Sequence, residues 1–134
     1  MVTPTIFVVD DDEAVRDSLR ILLESYGMAV EDYRSTAEFA RRYRPRARQC
    51  LILDQHLPGA TGLDFLSSPD GVRLRVPVIL LTGRADDPMH ARAIELGVSA
   101  FLEKPLGAGV LMNAIERALG QSEVGAGGTD ASDA

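Results

Sequence analysis

Tryptophan is missing from this 134-residue chain, and cysteine occurs once. A single Cys50 cannot form an internal disulfide, and with only His56 and His90 beside it no zinc set can be assembled. Placed at the head of an apolar run, Cys50 is expected to be a small core residue. Long hydrophobic runs are also lacking: the longest are about five residues, against the roughly 20 a membrane span needs. No basic segment followed by an apolar one opens the chain, so a secretory signal is not expected and the cytoplasm is the default compartment. Positive charge is in the minority, with 14 bases against 20 acids and a net charge of −6. That balance argues against direct DNA binding by this segment, because a nucleic-acid surface needs clustered Lys and Arg. The basic run Arg41-Arg42-Tyr43-Arg44-Pro45-Arg46-Ala47-Arg48 is the exception, and reads as a solvated helix end and loop.

What is present is a strict alternation. Apolar runs at Ile6–Val9, Met28–Tyr33, Cys50–Leu53, Pro77–Leu81 and Ser99–Leu102 read as strands, the second weakened by Glu31 and Asp32. Between them lie helical patterns. Val15, Leu19, Leu22 and Leu23 share a face that Gly27 ends. Ser35-Thr36-Ala37-Glu38 has capping-box spacing. A short helix over Gly62–Leu66 is expected to stop near Pro69. Asp87 suits an N-cap, with Pro88 first in its helix. Val110, Leu111, Ala114, Ile115, Ala118 and Leu119 form the last apolar stripe. Five β/α units with near-continuous apolar strands imply a parallel sheet covered on both faces. The predicted fold is α/β, a flavodoxin-like (βα)5 doubly wound sandwich with strand order 2-1-3-4-5. One domain is expected over residues 1–120. Residues 121–134, poor in apolar period and rich in small residues, read as a flexible, linker-like tail.

Four strands end in reactive side chains: Asp10-Asp11-Asp12-Glu13, Asp54, Thr82, and Glu103-Lys104. In a sheet of this order the switch point falls between strands 1 and 3, which brings Asp10, Asp11 and Asp54 together. Carboxylates about 4 Å apart repel by about 4 kcal/mol at an effective dielectric near 20. A divalent cation relieves this, and hard oxygen ligands with room for phosphate favour Mg2+. Thr82 offers a hydroxyl and Lys104 a point charge to an anion in the same crevice. The set suits phosphoryl transfer to a carboxylate nucleophile, with Asp54 the best placed. Asp12 and Glu13 are assigned to helix capping. Taken singly, Thr82 reads equally well as a turn residue and Lys104 as an exposed loop cation.

The ordered segments Val8-Val9-Asp10-Asp11-Asp12-Glu13, Leu53-Asp54-Gln55-His56-Leu57-Pro58-Gly59, Leu81-Thr82-Gly83 and Leu102-Glu103-Lys104-Pro105 resemble the receiver domain of two-component response regulators, over residues 5–119. Together with Asp87-Pro88-Met89, they are most similar to the FixJ-like regulators, which usually attach a helix-turn-helix output domain. The resemblance implies that Asp54 accepts a phosphoryl group from a sensor histidine kinase, and that the domain catalyses its own phosphorylation and dephosphorylation. It implies Mg2+ held by Asp11, Asp54 and the backbone carbonyl of His56, with Asp10 acting largely through water. Lys104 and Thr82 would bind phosphoryl oxygens, Lys104-Pro105 would be cis, and Phe101 would turn inward with Thr82 as the switch aromatic. The readout implied is homodimerisation through the fourth helix, fifth strand and fifth helix, controlling a transcriptional output domain. His56 and Arg84, each two residues beyond a site residue, are candidates for tuning acyl-phosphate lifetime. Gly107 and Gly109 weaken the start of the last helix. Competing readings are a stand-alone single-domain regulator, a pseudo-receiver used for docking, and a haloacid-dehalogenase-type phosphohydrolase built on the Asp10-x-Asp12 spacing.

Overall fold

Residues 2–127 are described by the computed structural model. Five strands, β1 (Thr5–Val9), β2 (Ala29–Tyr33), β3 (Gln49–Asp54), β4 (Val78–Thr82) and β5 (Ala100–Glu103), form one parallel sheet. Its order is β2-β1-β3-β4-β5, as the alternation predicted. The helices are α1 (Glu13–Ser25), α2 (Thr36–Arg42), α3 (Gly62–Leu66), α4 (Pro69–Val72), α5 (Asp87–Glu95) and α6 (Ala108–Gly127).

Period-two alternation along the strands divides the core into two layers. Ile6, Val8, Cys50, Ile52, Ile79 and Leu81 face Leu19 and Leu23 of α1 and the stripe Leu111, Ile115, Ala118 and Leu119 of α6. Phe7, Val9, Leu51, Leu53, Val78 and Leu80 face the other way, against α2, α3 and α5. The chain has only four Phe and three Tyr, yet six of these rings belong to that second layer. Phe39 lies 5.6 Å from Phe7, 5.5 Å from Tyr33, 5.1 Å from Tyr43 and 6.3 Å from Phe65, mostly edge to face. Cys50 is fully buried, and burial pushes its thiol up to about 12, as befits a core residue rather than a reactive one.

Helix ends follow local chemistry. Asp12 caps α1 by accepting from the Ala14 amide, and Gly27 leaves that helix with φ +83°. Ser35 caps α2, but Glu38 reaches back to the Arg34 amide rather than that of Ser35, so the capping box is only half formed. The N-cap of α5 is Asp86 rather than Asp87, which becomes the first helical residue, with Pro88 after it. Asp86 wins because its side chain reaches the Met89 amide at 2.8 Å.

Other expectations need correction. Pro69 does not merely stop a helix: α3 ends at Leu66 and Pro69 opens a further turn, α4, capped by Ser68. The face expected of the fourth helix, fifth strand and fifth helix is therefore α5-β5-α6. Helical backbone continues to Gly127, past the boundary drawn at Gln121. The rest of the expected tail, 128–134, lies outside the described residues. The basic run is more than solvated surface, since Arg46 pairs with Glu31 and its guanidinium lies 5.8 Å from the Phe7 ring. Asp32, the other acid of edge strand β2, pairs with Arg16 and Arg20. These pairs let two acids occupy a strand that their polarity had weakened in the sequence.

Candidate functional site

Register builds the site. Val9 is aligned with Leu53 across the β1–β3 pair, so the next residues, Asp10 and Asp54, leave the sheet side by side at its carboxyl edge. Asp10 and Asp54 are buried and Asp11 is exposed. One oxygen from each lies within 4.8 Å of the others. Lys104, from the loop after β5, places Nζ 3.3 Å from Asp54 Oδ1 and 3.7 Å from Asp10 Oδ2. The Lys104-Pro105 peptide is cis, as expected, and the Lys104 amide donates to the Thr82 carbonyl at 2.8 Å.

Asp10 carries the electrostatic load. Burial raises its pKa above the ordinary 3.8, and the neighbouring charges of Asp54 and Asp11 push the same way. Acceptance from the Asp12 amide at 2.9 Å and the charge of Lys104 act in opposition. Asp10 Oδ1 takes that amide bond, whereas Oδ2 is buried with no hydrogen-bond partner among the described residues. A buried carboxylate oxygen without a donor, next to two further carboxylates, suits a hard cation better than a neutral ligand. The three aspartates can hold a metal ion.

Thr82 is also at the edge, at the end of β4, and is completely buried. Its Oγ1 contacts His56 Nε2 at 2.9 Å, the Arg84 amide at 3.1 Å and the Arg84 carbonyl at 3.0 Å. Thus His56 meets the site through its ring, and Arg84 through its backbone. Phe101 lies on β5, half-buried against the second core layer, with the His90 ring of α5 5.4 Å away. Because β5 is an edge strand, its burial is incomplete, unlike the near-continuous burial its apolar run suggested.

Residues that sequence reasoning passed over hold this arrangement in place. Arg16 donates from Nη1 to the Asp10 carbonyl at 2.8 Å while its Nε binds Asp32, anchoring the β1–α1 turn. Gln55 is buried, and its Oε1 accepts from the Leu63 amide at 2.8 Å, fastening the loop beyond Asp54 to α3. A Cβ on Gly62 would stand 2.7 Å from the Asp54 carbonyl, so only glycine lets α3 approach this closely. Glu103 accepts from the Ala85 amide at 3.3 Å and ties the β4–α5 loop to β5. An Arg at helical spacing and a Gly at a helix start were visible in the sequence, but nothing local marked their partners.

The family model for the response regulator receiver domain matches residues 6–116. The chain belongs to this family. It is 39% identical over 117 residues to the transcriptional regulatory protein FixJ of Azorhizobium caulinodans, covering 87% of this chain and 56% of that one. Among solved structures, the response regulator StyR superposes with a TM-score of 0.86 at 35% identity, covering 98% of this chain and 67% of that one. The beryllofluoride-activated NtrC4 receiver domain dimer gives 0.78 at 25% identity, covering 88% and 98%. The receiver domain spans about half the length of the curated relatives it matches. It is thus a FixJ-like receiver domain of a two-component response regulator with the flavodoxin-like fold. Among the described residues no helix is long and apolar enough to cross a membrane.

Proposed function

We propose that this receiver accepts a phosphoryl group on Asp54 from a phosphohistidine of a sensor kinase and signals by altering its α5-β5-α6 face. The observation that carries the reading is Asp54 Oδ1, buried beside two acids and 3.3 Å from Lys104 Nζ. In the transfer, the N–P bond of the donor breaks as an Asp54 oxygen bonds to phosphorus, and the leaving imidazole takes up a proton. Lys104 neutralises charge on the incoming group, and Thr82 supplies a hydroxyl to one of its oxygens. Asp11, Asp54 and the His56 carbonyl would hold Mg2+, with Asp10 assisting through water; when bound, the ion offsets the charge of the acids and phosphoryl oxygens. Phe101 answers the movement of Thr82 as the switch aromatic. Hydrolysis of the adduct is a separate step in which water attacks phosphorus, the Asp54 O–P bond breaks, and the carboxylate and inorganic phosphate are released, with His56 and Arg84 next to the Thr82 hydroxyl.

A groove of about 430 Å3 with mostly apolar walls, between Ala14, Val15 and Ser18 of α1 and Pro105 and Leu106, borders Lys104 and suits a protein partner such as the kinase. Homodimerisation on phosphorylation and control of a transcriptional output domain accord with the FixJ likeness and the dimeric NtrC4 receiver. A stand-alone regulator would use the same switch. The phosphohydrolase reading is disfavoured because Asp12, its required second acid, caps α1.

Mass measurement after incubation with acetyl phosphate and Mg2+ tests the assignment. Wild type is expected to gain one phosphoryl group and Asp54→Ala none; an equal gain in both would move the nucleophile elsewhere.

A further inference from the structure

We propose that the His56 ring is a positioning residue that pins Thr82 in its resting place, so that release of this contact is a step in switching; the proposal rests on the phosphoacceptor reading above. His56 is exposed, yet its Nε2 lies 2.9 Å from the hydroxyl of a threonine with no exposed surface. A hydroxyl has one proton to donate and two lone pairs. The Arg84 amide fills one pair at 3.1 Å, and the Arg84 carbonyl takes the proton at 3.0 Å. An Nε2–H from His56 then fills the second pair and saturates the hydroxyl. In the other tautomer the hydroxyl proton goes to Nε2 instead. With Nε2 as acceptor the ring holds the proton an anion would need; with Nε2 as donor that proton rests on the Arg84 carbonyl, and the ring adds a tether that Thr82 must give up before its hydroxyl can move to an anion.

The pin joins two loops. His56 stands two residues beyond Asp54, and Thr82 and Arg84 open the β4–α5 loop, whose Ala85 amide is held from the other side by Glu103. That loop leads into α5, where His90 lies against Phe101. A phosphoryl group on Asp54 that draws on the Thr82 hydroxyl must therefore compete with His56, and success loosens one of the two tethers on the loop. The resting state is stabilised by the pin, so removing it shifts the population toward the anion-bound state.

Beryllofluoride with Mg2+ is the probe, titrated calorimetrically into the whole chain. His56→Ala leaves the backbone carbonyl in place and, at an exposed position, removes little packing. It is expected to tighten apparent beryllofluoride binding about fivefold, the worth of one net hydrogen bond. His56→Gln, whose amide reaches the same hydroxyl, is expected to restore wild-type affinity. In a Thr82→Ala background the His56→Ala gain is expected to vanish. A gain that persists without the Thr82 hydroxyl, a loss of affinity in His56→Ala, or equal behaviour of the Ala and Gln variants overturns the proposal. If wild type binds and His56→Ala changes nothing, the pin alone is refuted. If wild type binds no beryllofluoride at all, the phosphoacceptor reading falls and the pin falls with it.

Discussion

Replacing Asp10 by asparagine should stabilise the metal-free protein while weakening its response to Mg2+. Asp10 and Asp54 present oxygens at most 4.8 Å apart, a repulsion of at least roughly 3.5 kcal/mol at an effective dielectric near 20. Asp11 adds a similar amount before water screens its exposed carboxylate. Lys104, 3.7 Å from Asp10 Oδ2, returns roughly 4.5 kcal/mol by the same rule, reduced because its side chain is 33% exposed. Attraction therefore does not cover repulsion plus the cost of burying Asp10, which is the leading cause of its raised pKa. The isosteric amide keeps the carbonyl that accepts from the Asp12 amide and replaces a buried charged oxygen that has no hydrogen-bond donor with a neutral group. A gain of about 2 kcal/mol is expected, which moves the urea midpoint up by about 1 M. The sign with pH follows from the raised pKa. Folded Asp10 holds its proton to higher pH than the unfolded chain, so wild type loses stability as pH rises from 3.8 through the folded value. The advantage of Asp10→Asn thus grows as pH rises above 3.8 and vanishes below it. Urea titrations at pH 7 with chelator and with excess Mg2+ provide the assay. A variant less stable than wild type in chelator, or one given the same increment by Mg2+, would refute the electrostatic reasoning.

Two further outcomes are expected. Gly62→Ala puts a methyl 2.7 Å from the Asp54 carbonyl, where backbone must yield; a loss of about 1–3 kcal/mol in chemical denaturation is expected, together with slower acetyl-phosphate labelling, and a fully stable, normally labelled variant would contradict the close approach. Asp32→Asn removes the partner of Arg16 and Arg20. Those arginines hold the Asp32 carboxyl below its ordinary value despite partial burial, so its stabilisation is present above pH 3.8 and lost as pH falls through the lower folded value. A cost of about 1 kcal/mol at pH 7 that disappears in acid is expected, and a cost independent of pH would assign the effect to packing.

Periodicity, turn residues and strand-end chemistry determine much of this protein. Alternating β and α patterns dictate five parallel strands, whose near-continuous apolar runs call for cover on both faces. Asp10, Asp54, Thr82 and Lys104 declare themselves as polar groups closing apolar strands. Helix boundaries at Asp86 and Pro69 were less legible, because competing caps differ by one hydrogen bond. What only the tertiary structure decided are the relations between distant residues. Strand register sets Asp10 beside Asp54. Arg16 braces Asp10 and Asp32 together, the Gly62 approach fits around the Asp54 carbonyl, and an exposed His56 reaches a buried Thr82. Each depends on distances between segments that no local pattern encodes, because packing, and not propensity, fixes which side chains meet.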